Sequence, residues 1–379
     1  MPSHALLCAT VAFSGGVVRW SGRPPVRPPV LMAVPAVSSS SSSAMDTATG
    51  GGESYATQFS RVFKGDVEQL KPLDQVTKPM PKPEMAAQAL DSTAKRIPFS
   101  DVYATRAPPP WRSLHVGRAV YMLWAHSCFI AAFACFFTWR RLVWHFGLYC
   151  MSALGITYSF HRQLTHKSFR SPKWLEYVAA YCGTLAAQGS PIEWVSDHRY
   201  HHLHTETPLD PHSSYEGFWW SHMGWALDWK MGQRRCPRTN CADLQSQAFY
   251  VHLDRHLAWH LALHLAIMYA IGGLPWVVWR MAGVTLWYHV TWLVNSASHI
   301  WGAQPYRTGD QSRNNPLVGF LAFGEGWHNN HHAFEYSARH GLGQRQLDVT
   351  WLLIRTLERL GLVTDVRLPT EDAKKRLAK

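Results

Sequence analysis

Hydrophobic residues gather in four long runs along this chain, at 119–139, 142–160, 257–279 and 281–299. A membrane helix needs roughly 20 apolar residues, so each run is long enough to cross a bilayer. The pattern therefore predicts an all-α membrane protein with four transmembrane helices in two hairpins. The first hairpin is predicted to turn at Arg140-Arg141, and the second near Pro275 and Arg280.

Two further helices are predicted outside these runs. The stretch 175–189 is shorter and carries Glu176, which favours a helix lying at the membrane interface. In the soluble region 333–379, apolar residues recur at the spacing of an amphipathic helix: Trp351, Leu352, Ile354, Leu357 and Leu360. The basic end of the chain is expected to fray.

The N-terminal residues differ in composition from the rest. Residues 1–45 contain no Asp or Glu, carry several arginines and include a serine run at 38–43, which is the composition of an organelle transit peptide. A disordered tail is the alternative. The predicted organisation is a transit peptide over 1–50, an extended polar arm over 51–110, a membrane domain with a cap over 111–365 and a basic tail over 366–379.

The net charge of +12 favours acidic partners or anionic lipid headgroups. No basic stripe or nucleic-acid motif accompanies this charge, so nucleic-acid binding is not expected. The seven cysteines are scattered without a CxxC pair, which argues against a zinc knuckle and a disulfide framework.

Three histidine clusters lie in the polar segments that follow or separate the apolar runs. Two of them have the spacing HxxHH, which puts three imidazoles on one face of a helix: His198, His201 and His202, and His328, His331 and His332. The third is the pair His161 and His166 in HRQLTH. Two hairpins return the chain to its starting side, so all clusters are predicted to face one side of the membrane, where most Lys and Arg also lie.

These clusters hold too many ligands for one metal ion. With His299, one turn after Asn295 on the same helix face, they supply nine histidines, whereas a tetrahedral zinc site takes four ligands. Two ions fit better. Imidazole suits zinc, copper, iron or nickel, and iron is the choice if the chemistry uses oxygen, because zinc has no redox role. His161 and His166 do not share a face on an ideal α-helix, so we expect His166 just past the helix end, bent back.

Acidic residues beside the clusters are candidates to orient the metal ligands. A metal-bound imidazole usually donates its second N–H to a carboxylate or a carbonyl. The candidates are Asp197, Glu206, Asp210 and Glu325. Capping of the cluster helix is the alternative for Asp197 and for Glu193.

Other histidines fall outside the clusters. A stripe that repeats every four residues indicates either a second metal or haem site or, preferably, a polar helix face turned toward the cap: His252, His256, His260 and His264. Three histidines lie alone in apolar runs and are expected to be hydrogen-bonded within the membrane: His126, His145 and His289. Three more are not expected to be direct ligands: His204, His212 and His222.

The ordered set HRQLTH, HRYHH, NSASH and HNNHH resembles the membrane fatty-acyl desaturases with Δ9-type histidine boxes. The resemblance covers about residues 110–365 and extends to the surrounding segments EWVSDHRYHHLHTETPLDPHS, GFWWSHMGWAL, YHVTWLVNSASHIWG and AFGEGWHNNHHAFEYSARHG. The most similar subgroup is that of the plastid acyl-lipid desaturases of plants and green algae, which act at Δ7 of a palmitoyl chain on monogalactosyldiacylglycerol.

The resemblance implies four membrane helices under a soluble cap that holds a histidine-ligated di-iron site. It implies two Fe2+ ions on the nine histidines, with Asn295 reaching one ion through water, and a bent tunnel for the acyl chain that Trp144, Tyr149 and Thr157 are candidates to line. It also implies an O2-dependent removal of hydrogen from two adjacent methylenes in a chloroplast membrane, with ferredoxin supplying two electrons. In the endoplasmic reticulum the donor would be cytochrome b5.

Three alternatives stay open. An acyl-CoA Δ9 desaturase of the endoplasmic reticulum carries the same boxes, although the long N-terminal extension argues against it. A membrane hydroxylase or alkane oxygenase also shares them, but the NSASH and GEGWHNNHH context favours desaturation. A metal transporter would place its polar sites near the bilayer midplane within interrupted helices, often in repeats, whereas these clusters lie at or beyond helix ends.

Overall fold

A computed structural model describes residues 114–206, 210–228 and 238–379 of the protein. Apart from isolated β-bridges, the described residues form helices and loops, and no β-strand occurs among them. The prediction of an all-α protein is therefore confirmed for this part of the chain. The predicted transit peptide at 1–50 and the polar arm at 51–110 lie outside the described residues.

The helices follow one another along the chain with short connections. In the first half they are α1 (Val116–Ala134), α2 (Trp139–Leu154), α3 (Lys173–Thr184), α4 (Pro191–His204) and the short α5 (Trp225–Leu227). Two π-helical segments, Gly155–Thr165 and Trp220–Gly224, and a 3-10 turn, Ser214–Glu216, lie between them. In the second half they are α6 (Ala242–Gln245), α7 (Ala248–Arg255), α8 (Leu257–Gly272), α9 (Leu274–Asn295), α10 (Ala297–Ile300), α11 (Pro316–Leu321), α12 (His328–Ala333), α13 (Val349–Arg359) and α14 (Glu371–Leu377).

The turn of the first predicted hairpin lies before Arg140-Arg141, and that of the second lies near Pro275 as predicted but not at Arg280. The Thr138 hydroxyl accepts the backbone N–H of Arg141 at 3.2 Å and caps α2, so Arg140 and Arg141 lie in the first turn of that helix. The second turn is at Gly273, whose φ of 67° favours glycine. Arg280 is buried within α9 and not at a turn.

The start of α4 also differs from the prediction. Ser190 caps the helix by accepting the Glu193 N–H at 3.1 Å, and Pro191 occupies the first helical position. Glu193 and Asp197 therefore lie inside α4. The alternative that Asp197 caps the cluster helix is wrong, whereas Glu193 lies in the first turn, where a carboxylate stabilises the helix N-terminus.

The helix α1 is, within the described ranges, the one helix long and apolar enough to cross a bilayer. The apolar α8 has only 16 residues, and α2 has 16 before the π-helical segment continues it. The longer α9 has 22 residues, but it is largely buried against α1, α2 and α8. Four crossing helices are thus not confirmed and stay a prediction.

The long helix α9 forms the centre of the packing. One side meets α1, where the Thr285 hydroxyl donates to the Ala125 carbonyl at 3.0 Å. Another side meets α2, where the rings of Tyr149 and Trp287 make an edge contact with centroids 5.6 Å apart. These contacts bury α9 between helices that carry or precede the predicted histidine clusters.

The C-terminal helices differ in part from the sequence prediction. The amphipathic helix is confirmed as α13, where Ile354 is buried against Tyr158 and Phe169, but Leu352 and Leu360 are exposed. The expected fraying is wrong for α14, because the helix is capped and its last residue is buried.

Candidate metal centre

The π-helical segment Gly155–Thr165 brings His161 and His166 together. A π-helix closes i→i+5 hydrogen bonds, and the His166 backbone N–H donates to the His161 carbonyl at 3.2 Å. Residues five apart therefore lie one above the other, and the two imidazole centroids are 4.9 Å apart. His166 follows the end of the helix as predicted, and the pair shares a face because this helix is not an α-helix.

Nine histidines form two groups in which one ligand atom from each residue lies within 4.8 Å of all the others. The first group contains His161, His166, His198, His202 and His331, and the second contains His201, His299, His328 and His332. Each HxxHH motif is divided between the groups, since residues four apart stack on one helix face and the third residue turns away. The prediction that the histidine clusters can hold metal is confirmed at this level.

The ring nitrogens within each group point at one another. His331 Nε2 lies 2.9 Å from His202 Nε2 and 3.1 Å from His161 Nε2, and His198 Nε2 lies 3.1 Å from His202 Nε2. Facing imidazole nitrogens at such distances must share protons or a common cation. Convergent Nε2 atoms with Nδ1 turned outward are the arrangement of histidine metal ligands, so the residues fit metal ions.

Carboxylates lie beside the outward Nδ1 groups. Three of the four predicted carboxylates do so: Glu325 at 2.5 Å from His161, Asp210 at 3.0 Å from His201, and Glu206 at 3.0 Å from His299. Asp197 lines the adjacent cavity, and its predicted role in orienting a ligand stays a prediction.

Two carboxylates in equivalent positions were missed by the sequence analysis. Asp310 lies 2.8 Å from Nδ1 of His332, and Glu335 lies 3.4 Å from Nδ1 of His202. Glu335 follows the HNNHH motif closely, two residues beyond the end of α12, so its closeness to the motif in sequence would have pointed to it. Asp310 lies in a loop 22 residues before its partner, where no local pattern marks it.

Burial sets the protonation of the groups. Burial lowers the pKa well below the usual range for four of the nine imidazoles: His198, His201, His328 and His331. It also lowers the pKa of His202 to about 4. For His332 burial acts in the same direction, but the Asp310 carboxylate outweighs it and raises the pKa. Most of these imidazoles are thus neutral at pH 7, the form that binds metal.

A fully buried guanidinium anchors one of the carboxylates. The Arg162 Nη2 lies 2.9 Å from Glu325 and 2.9 Å from Asp348, and its Nη1 donates to the Ala338 carbonyl at 2.7 Å. Burial raises the pKa of Glu325, but the neighbouring His161 and Arg162 outweigh it and bring that pKa well below its usual range. Glu325 is therefore ionised beside His161.

Three histidines outside the nine form a hydrogen-bonded series beside the centre. At one end, His126 Nδ1 lies 2.6 Å from the Met122 carbonyl oxygen, and His126 Nε2 lies 2.9 Å from His289 Nε2. His289 Nδ1 then lies 3.0 Å from His222 Nε2, and His222 Nδ1 lies 3.0 Å from Ser296 Oγ at the other end. The expectation of hydrogen bonds for His126 and His289 is confirmed, and it is confirmed for His145 as well.

The hydrogens of this series can be counted. The three neutral imidazoles supply the hydrogens of the three links from Met122 to His222, whereas the one hydroxyl hydrogen of Ser296 is shared between His222 Nδ1 and the Trp292 carbonyl, which lies 2.8 Å from Oγ. We call this series the histidine strut. Its last member, Ser296, lies at the break between α9, which ends with Asn295, and α10, which carries His299.

A cavity of about 320 Å³ reaches the histidine groups. Its lining includes His161, His328 and Asn295 at the centre and also residues of α1, α4, α5, α8 and α9. Of the predicted tunnel residues, Thr157 lines the cavity. Trp144 is largely exposed, and Tyr149 packs in the core, so neither is placed in this cavity.

The sequence model of the fatty acid desaturase family matches residues 139–350, a range that contains all nine histidines. This chain belongs to the fatty acid desaturase family. The match confirms the predicted family and identifies the desaturase as an oxidoreductase. The metal-ligating role of individual residues in this desaturase stays a proposal.

Named relatives have similar sequences over most of their length. The desaturase is 49% identical over 303 residues to the chloroplastic palmitoyl-monogalactosyldiacylglycerol delta-7 desaturase of Arabidopsis thaliana, covering 77% of this chain and 81% of that protein. It is 47% identical over 271 residues to delta-9 acyl-lipid desaturase 1 of the same plant, covering 71% and 88%. It is 44% identical over 306 residues to the acyl-CoA C20 Δ5-desaturase of Anemone leveillei, covering 78% and 97%.

Proposed function

We propose that this desaturase introduces a cis double bond at Δ7 of a palmitoyl chain on monogalactosyldiacylglycerol, using O2 and two electrons from ferredoxin. The observation that carries the reaction class is the pair of convergent histidine groups at a cavity. The similarity to the palmitoyl-monogalactosyldiacylglycerol delta-7 relative supports the substrate.

The proposed cofactor is a pair of Fe2+ ions, one held by each histidine group, with Asn295 reaching one ion through water. Convergent Nε2 atoms, carboxylates on Nδ1 and neutral imidazoles support this assignment. The bound ions would supply the activation of O2 and the redox chemistry that the side chains lack. One ion would then have five histidine ligands and the other would have four.

The remaining work of the protein is to hold the acyl chain. The methylenes of a saturated chain are chemically alike, so the bond that reacts is chosen by where the chain is held. A cavity closed to water also prevents side reactions at the metal centre. One methylene of pocket depth discriminates by only about 1–3 kcal/mol, so the lipid headgroup must help to set the register.

The proposed location is a chloroplast membrane crossed by four helices. These would be α1, α2 with the π-helical segment, α8 and α9, arranged as two hairpins. The 16 residues of α2 and the 11 of the segment together exceed the roughly 20 that a crossing needs. Residues 1–50 would direct the chain to plastids, as their Arg and Ser content supports. The net charge of +12 suits an acidic donor such as ferredoxin.

The position and carrier of the new double bond test this proposal. After expression in a host that makes galactolipids, we expect Δ7 in C16 chains on monogalactosyldiacylglycerol, and no product from the His202→Ala variant. Δ9 in C16 or C18 chains of all lipids would contradict the substrate and favour an acyl-CoA or general acyl desaturase. Such a carrier is consistent with the acyl-CoA and Δ9 relatives. A fusion of residues 1–55 to a reporter tests the location, and a cytosolic reporter would contradict it.

A further inference from the structure

The stripe of four histidines at 252–264 does not form one polar face. His264 is a partner of a buried charge, because its Nε2 accepts the Nε–H of Arg280 at 2.8 Å between α8 and α9. The other three, His252, His256 and His260, lie around the junction where α7 ends and α8 begins. We call these three the junction histidines.

The ring of His252 lies as close to those of the other two junction histidines as rings lie in the metal centre. The centroid of His252 lies 4.7 Å from that of His256 and 5.2 Å from that of His260. In the first histidine group the centroid distances run from 4.4 Å, for His161 and His198, to 6.1 Å, for His198 and His331. The spacing of the junction rings therefore suits imidazoles that share one ion.

One nitrogen of this cluster lacks a partner. His260 Nε2 is shielded from solvent and has no hydrogen-bond partner among the described residues. A shielded polar atom without a partner destabilises the protein unless a ligand completes it. The other two rings are exposed at the protein surface. Rotation is required, since the junction nitrogens converge less tightly than those of the nine-histidine groups.

We propose that His252, His256 and His260 bind one divalent transition-metal ion, Zn2+ or Cu2+, at a site separate from the nine-histidine centre. Neutral imidazoles without a carboxylate suit these ions and not Mg2+ or Ca2+. Three ligands leave a fourth position for water, as in open zinc sites. The site does not depend on which bond the desaturase oxidises.

An ion at this site would act on the cavity. Leu257, directly after His256, lines the cavity that reaches the metal centre. The ion would join α7, through His252, to α8, through His260, and would fix the angle of the junction that carries Leu257. Occupancy of the site would therefore change access of the acyl chain without changing the chemistry.

Zinc binding to the iron-loaded full-length protein in lipid nanodiscs tests the site. Zinc and iron per chain are measured after desalting, and we expect one zinc ion per chain in addition to an unchanged iron content. In His256→Asn the zinc affinity should fall by at least about tenfold, the scale on which even indirect ligand partners act. Arg255→Gln, on the same helical turn, should bind zinc like the wild type.

Three results would overturn the site: no zinc beyond the iron content, zinc that displaces iron, or equal zinc affinity in His256→Asn and the wild type. With Cu2+ as the probe, nitrogen hyperfine structure in the electron paramagnetic resonance spectrum should appear in the wild type and weaken in His256→Asn. Its absence would also contradict imidazole ligation.

The link to the cavity has its own readout. Saturating Zn2+ should change KM for the lipid substrate in the wild type at constant kcat, and should leave KM of His256→Asn unchanged. If bound zinc leaves the wild-type KM unchanged, the proposed coupling through Leu257 is overturned. This result is independent of whether the product is Δ7 or Δ9.

Discussion

Gly155 and Gly183 touch backbone to backbone where the π-helical segment crosses α3. A Cβ on Gly155 would lie 2.1 Å from the Gly183 backbone nitrogen, and a Cβ on Gly183 would lie 2.7 Å from the Gly155 oxygen. The crossing therefore requires glycine on both sides. It fixes the start of the segment that carries His161 and His166.

The change Gly155→Ala should force this crossing apart. We expect the free energy of unfolding to fall by about 1–3 kcal/mol, the usual effect of overpacking, and iron retention to fall with it. Thermal unfolding in detergent and iron content measure both effects. Gly147→Ala, on α2 with nothing within 4 Å of the added Cβ, is the matched control and should be at least as stable as the wild type. Equal stability of the two variants would contradict the crossing.

The change Asp310→Asn should weaken the metal centre without unfolding the protein. The amide oxygen of Asn can accept from Nδ1 of His332 but lacks the negative charge of the carboxylate that lies 2.8 Å away in the wild type, so we expect iron affinity to fall by about 10–100-fold. Iron remaining in competition with a chelator measures the affinity. Asp365→Asn, in a surface ion pair with Arg170, should retain iron like the wild type. If both variants retain it equally, Asp310 does not orient a ligand.

The change Arg162→Met should destabilise the fold strongly. It leaves the carboxylates of Glu325 and Asp348 buried without their cation, and removal of one partner from a buried ion pair typically costs about 3–5 kcal/mol. Chemical unfolding of the purified protein measures the loss. Arg170→Met removes an exposed ion pair with Asp365 and should have the same free energy of unfolding as the wild type. A small effect at Arg162 would show that the carboxylates find other partners.

The change His222→Phe should alter where the double bond forms. A phenyl ring cannot form a hydrogen bond with Ser296, so the histidine strut no longer reaches the break between α9 and α10. The net charge of the protein stays the same, because the ring of His222 is neutral. Burial lowers the pKa of His222 to about 4, so the wild-type ring is neutral and its product distribution should not change between pH 6 and 8. We expect the variant to keep its iron and to yield a larger share of displaced double bonds, measured by mass spectrometry of derivatised acyl chains.

A second buried histidine provides the control for this change. The two ring nitrogens of His145 face two backbone carbonyls, those of Arg141 at 2.8 Å and Trp276 at 3.1 Å, and the neutral ring donates to one of them, away from the metal centre. His145→Phe should lower stability while leaving the double-bond position unchanged. A displaced bond in both variants, or in neither, would contradict a positioning role of His222.

Local patterns in the sequence determined much of the candidate site. The HxxHH spacings identified six histidines, because residues three and four apart lie together on any helix. Glu206, Asp210 and Glu325 were identified because they lie close to the clusters in sequence or within a motif. Asp310 was missed because its contact with His332 joins a loop to a distant helix.

By itself, the sequence determined that the protein is helical, that its histidines suit two metal ions and which family the chain belongs to. These properties follow from periodicity, residue chemistry and motif order, which need no knowledge of packing. Only the tertiary structure decided how the nine histidines divide into groups of five and four, that His161 and His166 stack on a π-helix, and that His126, His289 and His222 form one strut. Such contacts join residues far apart in the chain, and their energy depends on how the helices pack.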